Sequence, residues 1–564
     1  SGLELYSNSF YKALPTLKNG FMQDKMCDVG AVSNTDTFIK QGAYNTETAT
    51  SWSWGALKNI NYFIDGCNDP KYCTVDDNTR DNYLGIARWF RAWFYYDKLT
   101  TYGEVPWFPH DIQSYQNDVM YKDRDSRDVI IRNLIADLDF AYEHIQATSS
   151  TGSSTLTRWA AAALKSRVCL FEAAYRRYHN LTGLEITPEE LYREAAKAAK
   201  LVIDNSGCSL NTATGKKGAY RDLFYNETPL TQEVILAVCA NEKSGIFGEQ
   251  NWWFNARSYG LCWSLVRSFV HTYLKLDGTP FTDAADYAVK SFTEEMEGRD
   301  LRLEQTVRGR NFLWDGKTAV ADIKNLSLTG YQVIKYTLDE SKYDGGAKNI
   351  NSIPLIRYAE VLLNYAEAQA ELGVITDSEW ALTVGALRKR AGITGGTETL
   401  PTTVDGYLQR TFYPDVTSPV LLEIRRERAI ELVAEGMRFD DLRRWKCGSL
   451  METLPWSGIH IPGLEQPVDV NGDGVDDYYF TEGEVTAAPA AYRNIAIRVN
   501  QDGVGLYAEA NAVSGYDLVY KTGAGDRYWY PDGRQYLYPI PAKVIRDYRN
   551  AGYTISQNPE WDNE

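Results

Sequence analysis

Apolar residues recur at three- and four-residue spacings in several long windows, the period of a helix with one buried face. Over 79–100, Tyr83, Ile86, Ala87, Phe90, Trp93 and Phe94 fall on one such stripe. The Gly103-Glu104-Val105-Pro106 segment predicts a stop, because proline and the residue before it resist helix. Over 126–147, Val129, Leu134, Leu138 and Ala141 repeat the pattern, so 79–147 reads as a helix pair. A second pair covers 157–204. It joins an alanine-rich window, 157–178, to 187–204, whose Thr187-Pro188-Glu189-Glu190 opening offers an N-cap, a first-turn proline and acids at the positive end of the helix dipole. A third pair is predicted over 354–390, as 354–372 (Tyr358, Leu362, Tyr365, Ala366 and Gln369 in period) and 378–390. The fourth is 419–446, as 419–435 and 438–446.

Helix pairs too amphipathic to stand alone predict repeat units that stack around a continuous core. The fold class expected is therefore mostly α, as one domain over 1–564. The stretches 205–350 and 448–540 are rich in Gly, Asn, Asp, Tyr and Trp and carry short β-like runs such as 233–238. They read as loop-rich insertions on the helical frame, where binding surfaces are usually found.

Composition narrows the function. No run approaches the roughly 18 apolar residues of a membrane-spanning helix. Ser1-Gly2-Leu3-Glu4-Leu5 lacks the basic start and apolar stretch of a signal peptide, so the chain is either cytosolic or has had its export segment removed. A net charge of −16 and a pI near 5.0, without a Lys/Arg stripe, argue against nucleic acid as a partner. Eight cysteines are too few for a disulfide scaffold in 564 residues. Cys67 and Cys73 pair if the compartment is oxidising, and otherwise stay thiols. The 39 Tyr and 15 Trp change the picture most. Most serve packing, but such rings offer flat apolar faces with a polar edge, which suits stacking on pyranose rings.

The sequence carries no Gly-x-Ser-x-Gly elbow, no His-Glu-x-x-His zinc helix and no phosphate-cradling glycine loop before a helix. His110, His144, His179, His271 and His460 are scattered without metal-ligand spacing. A glycosidase needs only two carboxylates at a suitable separation, so an all-helical glycoside hydrolase is the enzymatic alternative. Asp469, Asn471, Asp473, Val475 and Asp477 follow the alternating oxygen-ligand pattern of a calcium loop. Position twelve is Phe480 rather than a bidentate Glu, and no helix flanks the loop clearly. The two readings are a structural calcium site and a polar turn with no ion. No other cofactor is expected.

Four motifs, in order along the chain, resemble the SusD/RagB family of outer-membrane nutrient-binding lipoproteins. They are RWFRAWFYYDKLTTYGEVPWF at 88–108, IPLIRYAEVLLNYAEAQAELG at 353–373, LLEIRRERAIELVAEGMRFDDLRRW at 421–445 and YLYPIPAKVIRDYRNAGYTISQNPEW at 536–561. The resemblance implies four tetratricopeptide-like repeats and a lipid anchor on a Cys upstream of Ser1. It also implies exposure on the cell outer membrane and a SusC-like TonB-dependent transporter as partner. The activity it implies is non-catalytic binding of an oligosaccharide or polysaccharide and its delivery to that transporter, with RagB-like peptide uptake as the runner-up. In such proteins the ligand lies on a loop-built face lined by aromatics. By position the candidates are Tyr44, Asn45 and Trp52; Glu249, Asn251, Trp252, Trp253, Arg257 and Tyr259 within GEQNWWFNARSYGLCW; and Trp314. Adjacent on an extended loop, the rings of Trp252 and Trp253 are expected to point to opposite sides. Arg357, Glu360, Glu367, Arg425, Arg426, Glu427, Arg428, Glu431, Glu435, Asp440 and Asp441 are read as a scaffold ion network rather than a catalytic cluster.

Overall fold

The computed structural model describes residues 1–18, 24, 26–256 and 260–562. Helix accounts for 43% of the chain and strand for 10%, so helices carry the frame. The long helices begin on the caps written in the sequence. Asp76 accepts from the Thr79 N–H ahead of Asp77–Tyr102, and Ser126 from Val129 ahead of Arg127–His144. Thr187 and Glu190 close a capping box on Pro188–Asn205, and Ser418 caps Pro419–Glu431. Gly103, at φ 73°, ends the first of these where a side chain would be strained.

These helices stack in sequence. Asp77–Tyr102 packs on Arg127–His144, which packs on Arg158–Tyr178; that helix packs on Pro188–Asn205, which in turn meets Tyr358–Glu371, and Pro419–Glu431 follows. The apolar stripe of the first helix is wider than its period implied. Trp89, Tyr95 and Leu99 are buried as deeply as Ala87 and Phe90. The Trp89 indole donates to Ala160 O at 3.1 Å, which ties the first helix to the third.

The predicted helix over 354–372 is corrected at its start. Ile353–Arg357 is a strand, paired antiparallel with Val234–Val238, and the helix begins at Tyr358. Pro354 lacks an N–H and the run is apolar on both faces, so pairing with the equally apolar 234–238 segment wins. The following window breaks into Asp377–Trp380, a π-turn over Ala381–Gly385, and Ala386–Arg390. The fourth opens on Pro419–Glu431 and stops short of Glu435, with Ala434 at positive φ. Between 457 and 520 two three-stranded sheets form. Leu506–Ala510, Tyr516–Tyr520 and Ser457–Ile461 make one, and Ala496–Arg498, Tyr478–Thr481 and Pro467–Val468 the other. Cys67 and Cys73 are thiols, and their contact, after burial, pushes the Cys67 pKa up to about 12.

The charged residues of the repeat motifs lie inside. Glu431 accepts from Arg302 at 2.8 Å, Arg390 at 2.5 Å and Arg357 at 3.2 Å. Arg357 also reaches Glu435 and Glu233, and Glu435 holds Lys335 at 2.9 Å. Elsewhere Arg167 forks onto Glu360, Arg444 onto Glu367, and Arg428 onto Asp441 and Asn364. Arg425 differs: its guanidinium is sandwiched by rings, 4.3 Å from the Trp445 centroid and 5.0 Å from Tyr413.

Burial alone would raise the Glu431 pKa, but Arg390, Arg357 and Arg302 outweigh it and hold the carboxyl far below its usual range. Glu172, Glu367, Glu423, Glu435 and Asp441 are lowered by the same competition. A depressed folded pKa gives stability that is present above the unfolded value, about 4.3 for Glu, and lost as the pH falls below it. Urea unfolding is therefore expected to show a stability loss on acidification below about pH 4. Glu431→Gln is expected to lose about 3–5 kcal/mol at neutral pH, since three buried cations lose a shared anion, and to show a shallower acid slope.

Candidate functional site

Residues 250–255 form a short helix, Gln250–Asn255, one face of which is locked into the protein. Asn251 is fully buried. Its amide donates to Leu338 O at 2.8 Å and to Asp344 at 3.2 Å, and its carbonyl accepts from Leu338 N at 2.8 Å and Asn349 Nδ2 at 2.7 Å. Its own N–H donates to Asn349 Oδ1 at 2.8 Å, and Gln250 donates to Asn351 O. Phe254 completes the buried face. Asn251, a candidate for sugar contact, is thus bonded inward to the Leu338 backbone and to the side chains of Asp344 and Asn349.

Trp252 and Trp253 lie on the other face, half-buried. Because the segment is helical, adjacent side chains are separated by about 100° rather than opposed. The rings sit side by side, centroids 6.3 Å apart and inclined at 44°, which corrects the expectation of opposite directions. The Trp253 indole donates to Lys18 O at 3.2 Å, and a Cβ on Gly346 would meet the Trp252 ring at 3.4 Å. Glu249, half-buried, precedes the helix, and its N–H donates to Leu17 O. Arg257 and Tyr259 lie outside the described residues.

Trp314 lies on a hairpin, Leu313–Trp314 paired with Lys317–Thr318. Asp315 fastens the hairpin, its N–H donating to Asp339 O at 3.0 Å and its carboxylate accepting from Ser341 N at 2.9 Å. The hairpin and the tryptophan helix are thereby both attached to the 338–349 segment. The buried Arg308 guanidinium lies 5.3 Å from the Trp314 ring centroid, and Asp344 accepts from Asn251 and Asn255. Neither Arg308 nor Asp344 carries a sequence signal, since both are placed here by contacts far along the chain.

Tyr44, Asn45 and Trp52 are elsewhere. Tyr44 packs edge-on against Phe38 at 5.0 Å and Tyr538 at 5.7 Å. Asn45 closes a turn by accepting from the N–H groups of Glu47 and Thr48. Trp52 packs its edge on Trp54 and Tyr102 and lines an open groove of about 870 Å³.

The 469–477 segment is the loop of a β-hairpin whose strands are Pro467–Val468 and Tyr478–Thr481. Asp469 accepts from Gly472 N at 2.9 Å and Gly474 N at 2.8 Å, Asp473 from Val475 N at 2.9 Å, Asp477 from Val470 N at 2.7 Å, and Asn471 from Asp473 N at 3.3 Å. Val475 is exposed. These oxygens close the loop on its own backbone. Among the described residues no group of three or more His, Cys, Asp or Glu side chains is placed to share an ion.

Compared with known families, residues 232–561 match the profile of the SusD family. SusD-like protein P38 of Formosa agariphila is 25% identical over 380 residues, 64% of this chain and 66% of the relative, so the match spans a little under two thirds of that protein. A SusD-like carbohydrate-binding protein of Bacteroides fragilis superposes with a TM-score of 0.68 at 18% identity, over 96% of this chain and 97% of its own. A second SusD-like protein of that species gives 0.65 at 20% identity, over 99% and 96%. A structure solved with xylogluco-oligosaccharide gives 0.56 at 16% identity, over 100% and 98%. At these identities the likeness is one of fold.

Asn251→Ala is expected to act on folding rather than on ligand contact. Removing its amide leaves Leu338 and Asn349 with unmet buried groups, a loss of about 1–3 kcal/mol, seen as a lower unfolding midpoint.

Proposed function

The chain belongs to the SusD family, and from that membership we propose that it captures oligosaccharides without transforming them and hands them to a SusC-like TonB-dependent transporter at the outer membrane. The observation that carries the reading is the pair of half-exposed tryptophans, Trp252 and Trp253, on a helix whose opposite face is locked. A ligand platform needs rings that are presented yet immobile, because each side chain ordered on binding costs affinity. Trp314 extends the platform from its hairpin. The likeness in fold to a carbohydrate-binding protein and to one solved with xylogluco-oligosaccharide makes saccharides the first ligand class to test.

Stacking on a few rings gives modest affinity that adds over successive sugars, so oligomers are expected to bind better than monosaccharides. Modest affinity suffices if the protein is tethered beside its transporter, since tethering makes the second encounter intramolecular. Asp344, the buried-side acid, is occupied in holding Asn251 and Asn255.

Isothermal titration against neutral oligosaccharides, with a peptide panel beside it, tests the reading. Saccharide binding is expected, and Trp252→Ala is expected to weaken it roughly tenfold, about 1.4 kcal/mol, with an unchanged unfolding midpoint. Heat from peptides alone would replace the saccharide reading with peptide capture. No reducing sugar is expected to appear from any glycan over prolonged incubation, and its release would mark the protein as a hydrolase.

A further inference from the structure

A groove lined by Trp52, Phe108 and Tyr121 lies apart from that platform. It has a volume of about 870 Å³, within the range of clefts that enclose small ligands. Three separate segments build it: 52–61, 106–121 and 544–551. It shares no lining residue with the region of Trp252, Trp253 and Trp314.

Its aromatic surfaces are held rigidly. Trp52 is braced by the edges of Trp54, 5.3 Å away, and Tyr102, 5.0 Å away. Phe108 is fixed through its backbone, its N–H donating to the Tyr95 hydroxyl at 2.8 Å and its carbonyl accepting from Asn61 at 2.7 Å. Tyr121 is wedged between Tyr548, edge-on at 5.3 Å, and Tyr553, stacked at 5.5 Å.

The rim is polar, and its side chains already hold partners. Lys58 donates to Asp111 at 2.9 Å and to Ile112 O at 3.1 Å. His110 bonds Asp65 at 2.8 Å, and Asp547 holds Lys543 at 2.7 Å. Asn550 is exposed at the end of the Ala542–Asn550 helix, at the mouth of the groove. Fixed aromatic faces select a ligand with flat apolar sides. The lysine of the rim is bonded to Asp111, so the rim offers hydrogen bonds and no unpaired Lys or Arg among its described lining residues to select an anionic ligand. Neutral sugars combine those two properties.

We propose that this groove is a second binding site for a neutral oligosaccharide, separate from the Trp252–Trp253 platform. The ligand class rests on the function proposed above; the location does not. Two sites on one chain would retain a polymer longer than either alone, because the second contact is made at high effective concentration.

The test is isothermal titration of the full chain with xylogluco-, malto-, manno- and arabinoxylo-oligosaccharides. Four proteins are compared: wild type, the Trp252→Ala/Trp253→Ala double variant, Asn550→Trp, and all three changes together. Asn550→Trp fills the mouth from an exposed position and leaves the core untouched; its unfolding midpoint is measured beside wild type. The expected stoichiometries are two for wild type, one for the double variant, one for Asn550→Trp and none for the combination. Trp52→Ala is expected to weaken the site that survives in the double variant at least tenfold. A wild-type stoichiometry of one that persists in Asn550→Trp would overturn the second site and leave the platform standing. A single site lost in Asn550→Trp but kept in the double variant would uphold the groove and overturn the platform. No heat from any saccharide overturns both, and peptide heat lost in Asn550→Trp overturns the saccharide assignment of the groove.

Discussion

One carboxylate, that of Glu431, draws three guanidinium groups into the interior of the molecule. Arg302 comes from the turn after Asp300, Arg357 from the last residue of a strand, and Arg390 from the end of a broken helix. Each of these cations then recruits further acids: Asp300 and Glu427 for Arg302, Glu233 and Glu435 for Arg357, and Glu233 again for Arg390. Desolvating such groups is expensive, and a well-packed apolar core of the same volume could be as stable. What charge pairing adds is position. A guanidinium fork accepts a narrow range of carboxylate placements, whereas a leucine tolerates sliding. We regard the network as the element that sets how the later helices sit on the earlier ones.

The platform depends on that setting at second hand. Asn349 and Asn351, which hold the tryptophan helix, lie just before the strand that ends at Arg357. Fixing Arg357 fixes the strand, and the strand positions the asparagines. The chain of contacts runs from a buried acid, through a strand end, to the rings that face solvent.

The helical frame was legible because its evidence is local. Thr187-Pro188 and Gly103 announce a start and a stop from their own chemistry, and an apolar period over twenty residues averages out individual exceptions. The strand at 353–357 was not legible as such. Its apolar run suits a buried helix or a buried strand, and the partner that decides lies over a hundred residues earlier. Site residues fared unevenly for the same reason. Trp252 and Trp253 were visible as an aromatic pair, but a helix of six residues is too short to show a period, so their mutual orientation was misread. Asn251 has the chemistry of a sugar contact, and only Leu338 and Asn349, distant in sequence, show that it faces inward. Trp52 looked like part of one ligand face and lies in a groove assembled from segments up to five hundred residues apart. The alternating oxygen pattern at 469–477 is visible in sequence, whereas its place at the tip of a hairpin depends on the strands on either side.

The division of labour within the Gln250–Asn255 helix has an evolutionary consequence. Gln250, Asn251 and Phe254 carry its buried attachment, while Trp252 and Trp253 are part-exposed, the latter held to Lys18 O. Exchange at 252 and 253 leaves the asparagine bonding of the opposite face in place while it redraws the outward surface. The outward surface can thus vary over a handful of residues while the interior that carries the helix is kept. Divergent relatives should then differ most at these outward positions and least at the asparagine that anchors them.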